Sequence, residues 1–115
     1  MFKAVTNDIE VCVETFYQES KNYRHSFAYR ITIKNNGINT VMIQSRFWLI
    51  TYSDGSKIKV VGEGVVGKTP TLNPGTYFTY TSGCVIETPI GKMNGHYIMI
   101  QSDNSLLKVD FIQIN

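Results

Sequence analysis

Residues 60–97 read V-V-G-E-G-V-V-G-K-T-P-T-L-N-P-G-T-Y-F-T-Y-T-S-G-C-V-I-E-T-P-I-G-K-M-N-G-H-Y, from Val60 to Tyr97, and hold seven of the nine glycines and all three prolines of the chain. Two nucleotide-binding signatures overlap inside this stretch. Gly62, Gly64 and Gly67 spell G-x-G-x-x-G, and Gly62 to Thr69 is a literal G-x-x-x-x-G-K-T. Both signatures need a parallel strand before them and a helix after them, because the helix N-terminus supplies the amides that hold phosphate. Pro70 directly after Thr69 turns that threonine away from helical backbone angles. Pro74-Gly75 stops any helix soon afterwards. Glu87, placed where a dinucleotide site would seek its ribose carboxylate, sits beside Thr88-Pro89 in turn chemistry. With no crossover helix elsewhere, a parallel sheet cannot be built. The stretch reads as turns between strands, with the glycines bending a connection that packs Val65 and Val66 on a sheet.

The flanks agree. Ile9, Val11 and Val13 alternate with Glu10, Cys12 and Glu14, the period of a half-buried strand. Gln18 to His25 is polar and reads as a loop carrying Lys21, Tyr23, Arg24 and His25. Phe27, Tyr29, Ile31 and Ile33 alternate through the next strand, which Asn35-Asn36-Gly37 ends. From Val41 to Tyr52 the apolar residues fall on both parities: Ile43, Phe47 and Leu49 on one, Met42, Trp48, Ile50 and Tyr52 on the other. A central strand covered on both sides, or a strand with a bulge, reads this way. Ser53-Asp54-Gly55-Ser56 is a hairpin turn into Ile58 and Val60, and Asn73-Pro74-Gly75 is a tight turn. Tyr77–Ser82, Tyr97–Gln101 and Leu107–Ile112 complete about seven short strands without any helical period. The chain is therefore expected to be all-β: one domain over residues 1–115, an immunoglobulin-like antiparallel sandwich. Tyr97, two positions after Gly95, is similar to the tyrosine corner of such folds, whose phenol bonds upstream backbone. Trp48 suits their core position.

Composition narrows the function classes. Eleven Lys and Arg stand against nine Asp and Glu, spread along the chain, which gives no electrostatic footprint for nucleic acid or membrane. The first residues lack a secretory h-region, and no apolar run is long enough to span a bilayer, so a cytoplasmic chain is expected. Cys12 and Cys84 read as free thiols behaving as small hydrophobes. Ser82 lacks a nucleophile elbow, and Cys84 with His25 or His96 stands in an apolar, strand-like context. The carboxylates form no D-x-D cluster, and no His/Cys pair has zinc spacing. The reading is a non-enzyme with no cofactor. Successive glycine amides can still form an anion-binding nest without a helix, which makes Gly62, Gly64, Gly67 and Lys68 the candidate site for a small anion, pyrophosphate or nucleotide phosphate.

The motifs G-E-G-V-V-G-K-x-P, P-G-x-x-F-x-Y-x-S-G-C and T-P-x-G-x-M-x-G-x-Y, with F-A-Y-x-I-T-I-x-N at Phe27–Asn35 and S-R-x-W at Ser45–Trp48, together resemble the ApaG domain family. That resemblance implies a fibronectin-III-like sandwich linked, in bacteria, to Co²⁺ resistance and Mg²⁺ efflux. In eukaryotes similar domains are appended to F-box and polymerase-delta-interacting proteins, which implies a protein partner. Two departures stand out. Phe47 replaces the histidine of the family's S-R-H-W, and the C-terminal strand lacks the family's proline. An edge without proline is open to strand addition by a partner or a second copy.

Overall fold

Period-two alternation of β-branched and aromatic residues fixes nearly every strand, and the turn residues between them fix the connections. The structure is a computed structural model that describes residues 2–21, 24–65, 67–86 and 90–114, with side chains described for all of these except 2, 17–21, 24–27, 82–86, 90–91 and 111–114. Its strands are β1 (Phe2–Thr6), β2 (Ile9–Lys21), β3 (Arg24–Asn35), β4 (Val41–Tyr52), β5 (Lys57–Glu63), β6 (Thr71–Leu72), β7 (Tyr77–Ile86), β8 (Ile90–Gln101) and β9 (Leu106–Ile114). Among the described residues there is no helix. One antiparallel sheet runs β1-β2-β3-β7; the other runs β5-β4-β8-β9, with β6 also paired to β4. The two form a sandwich, as the alternation predicts.

Three details differ from the sequence reading. β1 and the short β6 add to the expected strands, and β8 begins at Ile90, seven residues before the expected start at Tyr97. β1 turns into β2 through Asn7 and Asp8, both at positive φ (45° and 66°), residues that tolerate this region. Gln18 to His25 is mostly strand: β2 and β3 pair out to Lys21↔Arg24, while Asn22 and Tyr23 lie outside the described residues. The phenol of Tyr97 meets the hydroxyl of Tyr80 on the opposite sheet, 2.5 Å away.

The mixed parity of β4 is a bulge. Its pairing with β8 shifts between Ile43 and Ser45, so Val41 and Ile43 before it and Trp48 and Ile50 after it all face inward. They meet Ile9, Val11 and Val13 of β2 and Ile31 and Ile33 of β3 from the opposite sheet. Trp48 stacks on Tyr29 across the gap, centroids 5.1 Å apart. Gly95 faces Trp48 across the β4–β8 ladder, where the missing side chain leaves room for the indole.

At one end Asn35 is fully buried, and its polar groups are engaged. Its Nδ2 donates to the carbonyls of Asn39 (2.7 Å) and Leu72 (3.0 Å), and its Oδ1 accepts from Gly37 N–H (2.9 Å). Its backbone N–H donates to Thr76 and its carbonyl accepts from Gly75 N–H. One amide thus clamps the β3 end, the following loop, β6 and the Asn73–Thr76 turn. An aspartate there would bring a charge and lose both donors. Asn35→Ala would strand two carbonyls and one N–H in the interior, and about 3 kcal/mol should be lost; urea unfolding with an unchanged m-value measures it.

Candidate functional site

The Gly62–Lys68 segment leaves β5 and crosses toward β6 along the edge of β4. Gly62 lies opposite Arg46 in the β4–β5 register. Gly64 N–H donates to Gln44 O at 2.7 Å, at the bulge. Val65 and Lys68 then exchange both backbone hydrogen bonds, 2.7 and 2.9 Å, so the chain reverses there, with Gly67 at φ +75°. Val65 is fully buried in the core, as the sequence predicts; Val66 lies outside the described residues. Ile43 N–H donates to Pro70 O at 3.0 Å, where the chain enters β6.

Each glycine of the G-x-G-x-x-G thereby has a steric reason. A Cβ on Gly62 would meet the Arg46 guanidinium at 2.8 Å. On Gly64, at φ +58°, it would lie 1.9 Å from the Lys68 carbonyl oxygen. Gly67 meets nothing; its positive φ is the whole requirement. Arg46, which the sequence singles out only as a letter of S-R-x-W, holds this loop in place: its Nη1 donates to Glu63 O (3.1 Å) and Gly64 O (2.9 Å). No helix starts at Lys68, and the loop's neighbours are antiparallel, so neither dinucleotide nor P-loop geometry is present. Glu87 lies outside the described residues.

The amides of Gly64, Val65 and Lys68 all donate within the protein. An anion would therefore be met from the exposed tip, by Gly67 and the Lys68 ammonium. The other candidates are scattered. Cys12 is a free thiol on the outer side of β2, pushed up by burial and then by Glu14. The side chains of His25, Ser82 and Cys84 lie outside the described residues. Among the described residues no group of His, Cys, Asp and Glu is placed to hold a metal ion, and no helix is long and apolar enough to cross a membrane.

A surface the sequence does not announce lies on the outer side of the β5-β4-β8-β9 sheet. Registers place Val61, Phe47, His96 and Asp110 in one row across it, with Ser45, Ile98 and Lys108 in the next and Met42, Ile100 and Leu106 beyond. Val61 and Leu106 are 69% and 67% exposed. Phe47 and His96 stack at 5.1 Å and 15°. So a histidine does stand beside the position where the resemblance expects one, but it comes from β8. Desolvation under Phe47, then Lys108, lowers the His96 pKa, against a smaller opposing pull from Asp110. Lys108 and Asp110 pair at 3.6 Å on this face; the other sheet's outer side carries Lys3–Glu10 and Arg30–Glu14 ion pairs, with Arg30 over Phe16.

Residues 16–101 match the model of the ApaG domain family. The chain belongs to that family. It is 47% identical to Protein ApaG of Brucella anthropi over 114 residues, covering 96% of this chain and 88% of that one. A crystal structure of an ApaA protein from Bordetella pertussis superposes with a TM-score of 0.83 at 35% identity, over 93% of each chain. A protein from Archaeoglobus fulgidus shares the fold alone, at 10% identity and a TM-score of 0.61 over 90% of this chain and 92% of that one. The ApaG glycine motif is, in this chain, a loop shaped by Arg46 and the Lys68 carbonyl.

Two tests follow from this geometry. Gly64→Ala should cost about 3 kcal/mol or more, through its clash and its positive φ. Gly67→Ala should cost only about 1 kcal/mol, since open space surrounds it; paired thermal melts compare them. His96 has a folded pKa below its ordinary 6.5, so the unfolded chain takes up the proton first as pH falls. Its contribution is therefore complete above 6.5 and declines below that, levelling off under the folded value. Denaturation curves of His96→Gln should lack this part of the acid slope.

Proposed function

We propose that this ApaG-family chain is a non-catalytic interaction domain, acting through contacts with a protein partner in a process that touches Co²⁺ resistance and Mg²⁺ efflux. The observation that carries the reading is the outer face of the β5-β4-β8-β9 sheet. Phe47 and Leu49 of β4 and Ile98 and Ile100 of β8 form its apolar middle, Leu106 extends it onto β9, and Lys59, Lys108 and Asp110 border it. A contiguous apolar surface with a polar rim is the kind that partners cover, with aromatic residues as anchors. Phe47, stacked on His96, is the anchor here. The family's link to divalent cations then works through that partner. The cytoplasm is the compartment that suits it.

A second reading has one observation in its favour: Lys68 and Gly67 stand exposed together at the tip of a tight reversal, the setting of a small anion nest. Pyrophosphate or a nucleotide phosphate is the ligand class.

Titration separates the two. Amide shifts of Gly62, Gly64 and Gly67 should stay flat with phosphate, pyrophosphate and ATP; saturable sub-millimolar shifts lost in Lys68→Ala would replace the partner reading by the anion reading. In a cell lacking the chain, wild type should restore growth on Co²⁺ while Phe47→Glu, folded but carrying a charge on the apolar face, should not. Full rescue by Phe47→Glu would sink the surface assigned here.

A further inference from the structure

β5 pairs with β4 on one side, and among the described residues no strand takes its other side. β9, whose missing proline marks it as an open edge in the sequence, instead has β1 of the other sheet packed beside it. The alternation of the β4–β5 ladder says which groups of β5 point outward. Tyr52 N–H donates to Ser56 O and Gly64 N–H to Gln44 O, and the register between them has no shift. Hydrogen-bonded pairs alternate along an antiparallel ladder, so Ile58, Val60 and Gly62 also turn their backbone groups to β4. Lys57, Lys59, Val61 and Glu63 turn theirs away from it.

We propose that this edge recognises a second copy of the chain: two β5 strands pair antiparallel about a twofold axis through Val60. In that register the outward N–H and C=O groups of Lys59 and Val61 find partners, Glu63 N–H donates to Lys57 O, and Lys57 N–H meets the Glu63 carbonyl that Arg46 already engages. Lys57 stands opposite Glu63 of the second copy, twice by symmetry. Val60 meets Val60, Ile58 lies against Gly62 and the Arg46 guanidinium that sits over it, and Lys59 lies against Val61. The neighbouring registers fail on charge or length. An axis through Lys59 sets two lysines face to face, which is unfavourable. An axis through Val61 leaves Lys57 beyond the end of the other strand.

Lysines on an edge ordinarily protect it from pairing. Here the Lys57 charge is answered by Glu63 of the same seven-residue strand only when the strand meets itself reversed. The strand has no proline and no bulge, and Ile58, Val60 and Val61 are 47%, 37% and 69% exposed. Pairing covers part of that surface. It also joins two outer faces edge to edge, so the partner surface is presented twice on one continuous sheet. A single edge contact is small, so the dimer is a dissociating one.

Sedimentation velocity from about 10 μM to about 1 mM reads the equilibrium directly. Wild type should show a concentration-dependent dimer. K57E alone and E63K alone should each weaken it about ten-fold, because two opposite-charge pairs become two like-charge pairs. Mixing the two single variants should restore dimer at wild-type strength, as should the double variant K57E/E63K. A monomer across the whole range would overturn the proposal, and so would a dimer that the single variants do not weaken or the mixture does not restore. Both side chains are exposed, and equal melting temperatures will show that the variants fold.

Discussion

The hydrogen bond between Tyr80 and Tyr97 is the contact on which the sandwich turns. Among the described residues no ladder joins the two sheets, so side chains alone set how one lies on the other. Tyr80 belongs to β7 and Tyr97 to β8, and their hydroxyls meet in the interior at 2.5 Å. Desolvation pushes the Tyr80 phenol up to about 12, and burial raises Tyr97 well above the ordinary phenol value. Both therefore keep their protons near neutral pH, and the bridging hydroxyls stay uncharged. Tyr29 stacked on Trp48 adds an apolar bridge beside the polar one.

From that fixed stacking the bulge of β4 acquires its consequence. One extra residue near Gln44 reverses the parity of the strand, so Trp48 enters the core and Phe47 reaches the surface. The same bulge presents Gln44 O to Gly64, and Arg46 closes over Gly62 to hold the next two carbonyls. The glycine loop is thus keyed to a defect in its neighbour strand. A reader of the loop alone sees a phosphate motif; beside β4 it is a fitted connection.

The two outer faces then divide the labour. Both faces carry ion pairs, Arg30–Glu14 on one and Lys108–Asp110 on the other, and the second also offers Phe47, Ile98 and Leu106. An open edge beside the apolar face extends the same surface toward a second copy. Interaction through one sheet is the reading in which all these features take part.

Much of this was legible in the chain itself. The prolines after Thr69 excluded a helix, alternation named the strands, and the apolar residues on both parities of β4 announced either a bulge or a central strand covered on both sides; the bulge is what the strand has. Asn73-Pro74-Gly75 turns as its residues require, with Gly75 at φ +83°. These are local properties, set by sterics within a few residues. The partner of the Tyr97 phenol, the burial of Asn35, the stack of Phe47 on His96 and the duty of Arg46 were decided elsewhere. Each joins residues far apart in sequence, and only sheet register brings them into contact. Local chemistry settled which segments are strands; the pairing of those strands, and the packing of one sheet on another, settled which side chains are spent on the fold and which are left to meet another molecule.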